Sequence, residues 1–276
     1  MSYLENIHAN YSYLTKSEKK VADYIVSSGE KVLHQTLVDI KKATMVGDAT
    51  IVRFCQKLGY NGFSDLKIDI AKEGFPSSHS NHTDSAEASF VNIVENRLIK
   101  AIQETSVLAD EEKLKTAAAY IHRAKNIYIF GVGSSGITAR DMESRFLRGG
   151  VEAKAITDSH YQAMSASLFS KEDVVIALSL TGKTKDIYDA LSIAKENQAT
   201  IIAISNYVLS PIAQISDVVL QTAIEEYLLN GGSLTGKVSQ VFAIDLLITY
   251  YEKAYGINEL QMREKVARSI INKQLS

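Results

Sequence analysis

Residues 127–141 read IYIFGVGSSGITARD. An apolar run of β type, Ile127 to Phe130, leads into Gly131, Gly133 and Gly136, and a helix-like stretch follows. Backbone N–H groups at a helix start favour a bound anion, whatever molecule carries it. The spelling G-x-G-x-x-G also suits a dinucleotide, which wants an acid near the end of the next strand for its ribose. Asp158 lies near that place. Two features favour a different anion. Ser134 and Ser135 set two hydroxyls inside the turn, more than the turn needs for itself. Further on, ALSLTGKTKD (177–186) adds Ser179, Thr181 and Thr184, with Gly182 permitting close backbone approach. In a doubly wound sheet the carboxyl ends of neighbouring strands open onto one crevice. Two hydroxyl-rich turns meeting there suit a phosphate on a polyhydroxylated body better than a pyrophosphate bridge. Any one of these hydroxyls alone also suits a helix N-cap. Residues 182–184, GKT, hint at a nucleotide P-loop, but the glycine required five residues earlier is Ala177.

Other groups border this chemistry. His160 follows the second strand and suits either a sugar contact or a plain surface position. Lys237 is expected to begin a helix after NGGSLTG (230–236), where a cation is disfavoured unless an anion is bound. Glu225 and Glu226 follow the last strand, so an acid–base pair for a phosphosugar isomerase or lyase is present by inventory. That enzyme, with an accessory helical domain, is the alternative reading. No metal site and no cofactor are expected. His79 and His82 stand in FPSSHSNHTDSAEAS (75–89) without cysteines or paired acids, as solvated linker residues. The lone Cys55 excludes an internal disulfide framework and multi-cysteine metal sites.

These residues need elements to hold them. Strand-like runs fall at 126–131, 151–156, 173–179, 200–205 and 217–223, with helical patterns between most of them. A long helical stretch (90–124) precedes them, and helices near 237–255 and 258–273 follow. Alternating apolar strands and helices imply a doubly wound α/β domain with a five-stranded parallel sheet. Before the 75–89 break only helical spacing appears, near 17–29, 36–43, 48–58 and 62–72. The expected division is an all-α head at 1–74, a linker at 75–89 and an α/β domain at 90–276. No apolar run spans a bilayer and no signal peptide is visible, so a soluble cytoplasmic protein is expected.

The stretch DIKKATMVGDATIVRFCQKLG (39–59) has helix-turn-helix proportions. At 100° per residue, Ile51, Phe54, Cys55 and Leu58 form one apolar arc, while Thr50, Arg53 and Lys57 share another. A small polar residue and two cations on the second helix are what major-groove docking asks for, with Lys41 and Lys42 of the first helix placed to grip the flanking backbone. A helical bundle with surface cations fits the same spacing. Residues 1–75 carry a net charge of +1, so DNA would have to meet a local patch rather than a basic domain.

Residues 14–33 together with DATIVRFCQKLGYNGFSDLKIDI (48–70) closely resemble the N-terminal domain of RpiR-type (MurR/RpiR) transcription regulators. The chain departs from that pattern at Met45, usually Gly, and at Gly47, commonly a capping Ser. GVGSSG and SLTGKT resemble the sugar isomerase (SIS) domain over about 95–255, with Thr181 in place of the middle Ser of S-x-S-G-x-T and Gly236-Lys237 where Ser-Arg is more usual. The resemblance implies phosphate contacts at Ser134, Ser135, Ser179, Thr181 and Thr184. It also implies a regulator of carbohydrate utilisation that pairs as a homodimer or tetramer, binds operator DNA and answers to a sugar phosphate.

Overall fold

The computed structural model describes residues 2–74, 89–223, 234–256 and 259–271. The chain forms two compact units, one from the first of these stretches and one from the others. Residues 75–88 of the linker, with His79 and His82, lie outside the described residues, as do Glu225, Glu226 and residues 230–233.

The first unit holds helices α1 (Tyr3–Asn10), α2 (Lys16–Ser28), α3 (Leu37–Thr44), α4 (Asp48–Lys57) and α5 (Phe63–Gly74). Three of them start at a hydroxyl residue with an acid three positions later: Ser2/Glu5, Thr15/Glu18 and Thr36/Asp39 each close a reciprocal capping box. Sequence periodicity places four of the helices within two residues of their ends and misses α1. That helix has only eight residues and runs directly into a tighter turn at Tyr11–Tyr13, so its apolar period is too short to stand out. The expected arc of α4 is buried: Ile51, Phe54 and Cys55 are fully enclosed and Leu58 nearly so, packed with Val21, Ile25 and Ile40. Each such side chain contributes about 1.5–3 kcal/mol on burial.

The second unit is a five-stranded sheet in the order β2-β1-β3-β4-β5, with every pair parallel. The strands are β1 (Asn126–Phe130), β2 (Lys154–Ile156), β3 (Asp173–Leu178), β4 (Thr200–Ser205) and β5 (Val218–Gln221). The helices are α6 (Phe90–Leu108), α7 (Glu111–Arg123), α8 (Gly133–Arg148), α9 (Ser159–Ala166), α10 (Lys185–Glu196), α11 (Pro211–Ile215), α12 (Leu234–Tyr255) and α13 (Glu259–Ile270). Alternate residues of one strand feed two cores. Val174, Ile176 and Leu178 pack with α7, α8 and α12, while Val175 and Ala177 pack with α9, α10 and α11. Strand β3 is therefore buried along its whole length, as a central parallel strand should be.

Three expectations are corrected. The stretch 90–124 is two helices: Ala109 turns extended, and the Asp110 carboxylate accepts from the N–H groups of Glu112 and Lys113 to start α7. Strands β2 and β5 are shorter than their apolar runs. Helix α12 begins at Leu234, not at Lys237. Among the described residues no helix is long and apolar enough to cross a membrane.

Strand β1 is followed in sequence by β2 on one side, whereas β3 pairs on its other side. The chain reverses direction across the sheet at this point, and the turns leaving β1 and β3 sit side by side at the carboxyl edge. Such a reversal is where open α/β sheets bind ligands.

Candidate functional site

The turn after β1 passes from Phe130 through Gly131 into α8. A Cβ on Gly131 would stand 2.6 Å from the Ser135 carbonyl oxygen, so only glycine lets the strand end close onto the first turn of the helix. The N-cap of α8 is Val132, which offers no hydrogen-bonding side chain, and the first-turn N–H groups at Gly133, Ser134 and Ser135 have no partner within a helix. Both serines are half-buried. Two buried glutamines hold this turn. Gln162 of α9 donates to the carbonyls of Gly131 at 3.2 Å and Ile156 at 2.6 Å, while its own oxygen finds no partner among the described residues. Gln240 of α12 donates to the Ser135 hydroxyl at 3.1 Å.

The turn after β3 places Ser179, 2 % exposed, within 3.1 Å of the Thr184 hydroxyl. Thr181 accepts from the Lys183 N–H at 3.3 Å. Gly182 adopts φ +63°, and a Cβ there would lie 1.9 Å from the Ser210 hydroxyl. The Leu180 carbonyl accepts from the Ser205 hydroxyl and the Asn206 N–H, which fastens the turn to the end of β4. Thr184 is the N-cap of α10, yet its hydroxyl faces Ser179 and makes no capping bond.

The capping pattern carries the electrostatics. Helices α6, α7, α9 and α11 start with side-chain caps from Ser89, Asp110, Asp158 and Ser210. Helices α8 and α10, the two at the chain reversal, do not. Their partial positive ends thus meet the crevice without a side-chain cap; the first turn of α8 holds no acid, while that of α10 holds Asp186. Asp158, the acid a dinucleotide would need, has its carboxylate on the Tyr161 N–H at 3.0 Å instead.

The two turns bring Ser134, Ser135, Ser179, Thr181, Gly182 and Thr184 to adjacent strand ends. His160 is exposed in the first turn of α9. Lys237, half-buried, stands three residues before Gln240 and so on the same face of α12 that reaches Ser135. Gln162 and Gln240 escaped the sequence reading. The available signal was the polar pair Ser239-Gln240 directly before the apolar run VFAI (241–244). Among the described residues no cluster of His, Cys, Asp and Glu has the makings of a metal site. A cavity of about 430 Å³ lies at the other end of α8, between α12 and α13, with Arg145 already paired to Asp141 and Asp245.

In the first unit, α3 and α4 are joined by Met45, Val46 and Gly47. Met45 takes the left-handed conformation (φ 56°, ψ 35°) that its usual glycine would adopt freely. Gly47 caps α4 through its backbone alone. Arg53 is exposed and donates to the half-buried Thr50 hydroxyl at 3.2 Å. Lys41 pairs with Asp48 at 3.4 Å across the surface, and Lys42 is exposed. Lys57, expected to face DNA, is exposed and also paired within the head. Its ammonium lies 2.7 Å from Glu18, whose side chain is 4 % exposed. Burial works against the Glu18 charge, but Lys57 and the Thr15 N–H and hydroxyl together hold its carboxyl below the usual range. Burial pushes the Cys55 thiol up to about 12, which leaves it an inert packing group.

Residues 1–76 match the helix-turn-helix domain of the rpiR family, and residues 120–250 match the SIS domain. An uncharacterized HTH-type transcriptional regulator of Clostridium perfringens is 31% identical over 99% of this chain and 100% of its own. The HTH-type transcriptional regulator RpiR of Escherichia coli K12 is 29% identical over 84% of this chain and 80% of its own. The solved structure of the Vibrio vulnificus NanR protein complexed with ManNAc-6P superposes with a TM-score of 0.79 at 27% identity, covering 99% of this chain and 100% of that one. With its capped helical head, its parallel sheet and its hydroxyl-lined crevice, the chain belongs to the rpiR family of helix-turn-helix transcriptional regulators bearing a SIS domain.

Proposed function

We propose that this protein regulates a carbohydrate-utilisation operon in the cytoplasm by binding a sugar phosphate at the crevice between the β1 and β3 turns. The observation that carries the reading is the pair of helix starts, α8 and α10, left without side-chain caps while serine and threonine hydroxyls gather beside them. Backbone N–H groups and Ser134, Ser135, Ser179, Thr181 and Thr184 hold the phosphate, and Gly182 lets the second turn close against Ser210 and Ser205. His160 and Lys237 reach the sugar and the anion. The relative that carries ManNAc-6P points to amino-sugar 6-phosphates as the first class to try. The role is binding without turnover.

The head, residues 1–74, reads DNA with Thr50 and Arg53 of α4, and Lys41 and Lys42 grip the backbone. Two heads related by a two-fold axis, in a homodimer or a tetramer, meet half-sites one helical turn apart. The effector alters DNA affinity only to the extent that it binds one arrangement of the heads better than another, and 1–3 kcal/mol of coupling is typical. The stretch 75–89 and α6 carry that coupling along the chain.

The test separates the two activities. Arg53→Ala lowers operator affinity about 10- to 100-fold, the scale of one bidentate base contact, and leaves the calorimetric affinity for ManNAc-6P within a factor of two or so. Ser179→Ala with Thr184→Ala retains operator binding and loses the effector response. If both variants stay folded and both lose both activities, this division of labour is wrong. Turnover of a sugar phosphate by the purified protein replaces the regulator with an enzyme.

A further inference from the structure

Among the described residues, Ser135 has one side-chain donor and no acceptor for its proton. Gln240 is 1 % exposed, and its Nε2 donates to the Ser135 oxygen at 3.1 Å. A serine hydroxyl has one proton and two lone pairs. With one lone pair filled from behind, the O–H is left to point away from α12, and no described residue receives it. We infer that Gln240 is a positioning residue: its amide polarises and aims the Ser135 hydroxyl so that its proton is offered to the anion at the start of α8. The inference rests on the sugar-phosphate reading of the crevice.

The surroundings fix Gln240 in this role. Its neighbour Ser239 is fully buried and donates to the Ala223 carbonyl at 3.0 Å. The Ala223 N–H donates in turn to the Thr105 hydroxyl of α6 at 3.1 Å. The second turn of α12 is thereby tied to the strand end and to α6, so the amide reaches Ser135 from a backbone that does not slide. On the opposite side Gln162 holds the Gly131 carbonyl, which keeps the turn itself in register. A buried primary amide in an apolar helix face carries a desolvation cost that hydrocarbon of the same shape would avoid. The bond to Ser135 supplies its use.

Two substitutions of nearly equal size tell aiming from packing. Gln240→Met removes the donor. Gln240→Glu, when ionised, can only accept, so it draws the Ser135 proton inward and leaves the hydroxyl oxygen and a negative charge facing the anion. By isothermal titration with ManNAc-6P near pH 7.5, Gln240→Met weakens binding roughly 10-fold and Gln240→Glu more, roughly 100-fold, the scale of hydrogen bonds to charged groups. Expressed as a ratio to the unmodified protein at each pH, the Gln240→Glu loss shrinks as pH falls and the carboxyl gains a proton to donate. Gln240→Met shows no such recovery. In a Ser135→Ala background Gln240→Met weakens binding no further, because the group it aims is gone, whereas Gln240→Glu keeps the part of its loss that comes from charge repulsion. Thermal melts accompany each variant, and Gln240→Met alone carries the test if the glutamate variant does not fold. Ser135→Ala sorts the failures. If the unmodified protein ignores sugar phosphates, or Ser135→Ala binds as well as it does, the crevice reading itself falls. If Ser135→Ala weakens binding but Gln240→Met does not, or the two losses add in full, Gln240 aims nothing and only this inference is overturned.

Discussion

Lys57→Met asks whether the last cation of α4 serves DNA or the fold. In the structure its ammonium meets a carboxylate that is almost wholly enclosed, and Glu18 also closes the capping box of α2 through the Thr15 N–H at 2.8 Å. Removing one partner of a buried pair costs about 3–5 kcal/mol when the other is stranded. Two facts lower that figure. The Lys57 side chain is 43 % exposed, so water already shares the interaction, and Glu18 keeps its Thr15 contacts. The loss should therefore resemble one hydrogen bond to a charged group, about 1.5–3 kcal/mol. Hydrogen exchange on the full chain reads this directly: amides of α2 and α4 should lose roughly 10- to 150-fold of their protection near pH 7.5. The pH dependence has a definite sign. The folded Glu18 carboxyl is held below its ordinary value, so its contribution is complete above the unfolded pKa and disappears as pH falls through the folded one. The difference between Lys57→Met and the unmodified protein should close in that acid window, and Glu18→Gln should make Lys57→Met nearly silent at every pH. Operator binding by the folded fraction should keep its salt slope. A variant as protected as the original, with a salt slope shallower by about one counterion, would place Lys57 on a phosphate and refute the argument.

Met45→Gly should stabilise the head by about 0.5–1 kcal/mol in urea. A left-handed residue with a Cβ costs about 1–2 kcal/mol and glycine returns about 0.5–1 through unfolded-chain entropy. The Met45 side chain is 85 % exposed, so its loss removes no packing; a lower midpoint would mean that the strain is not there. Gly182→Ala should cost the second unit about 2–4 kcal/mol, since the new methyl group meets the Ser210 hydroxyl at 1.9 Å in a backbone that disfavours it. Its melting temperature should fall together with ManNAc-6P affinity, and retention of both would show that the β3 turn is looser than its contacts suggest.

The layered architecture was legible because its signals are local. Five apolar runs of β type alternate with helical periods. What escaped depends on partners far away in the chain. A helical wheel drawn for α4 alone puts Lys57 beside Arg53 but cannot see the carboxylate 39 residues earlier in α2 that its ammonium meets. Helical spacing runs on both sides of residues 110–113, and the extended Ala109 with the Asp110 cap divides the stretch 90–124. Gln162 and Gln240 are invisible for the same reason as Lys57: each is a polar residue in an apolar setting whose use appears only when the sheet brings its partner alongside.

The glycine spelling G-x-G-x-x-G by itself did not decide between a dinucleotide and a phosphosugar, since both need a strand to close tightly onto a helix start. The discriminating feature is where polar side chains next to that turn direct their bonds. A dinucleotide site would hold an acid free at the end of β2, but Asp158 is used to cap α9. The hydroxyl at Ser135 would be idle beside a pyrophosphate cradled by main chain alone, yet a buried amide is placed to orient it. At the neighbouring turn Thr184 leaves its own helix uncapped and turns to Ser179. Gln240 and Thr184 thus direct their bonds to the two turns at the chain reversal while Asp158 is spent on its own helix, which suits the proposed small anion better than a dinucleotide.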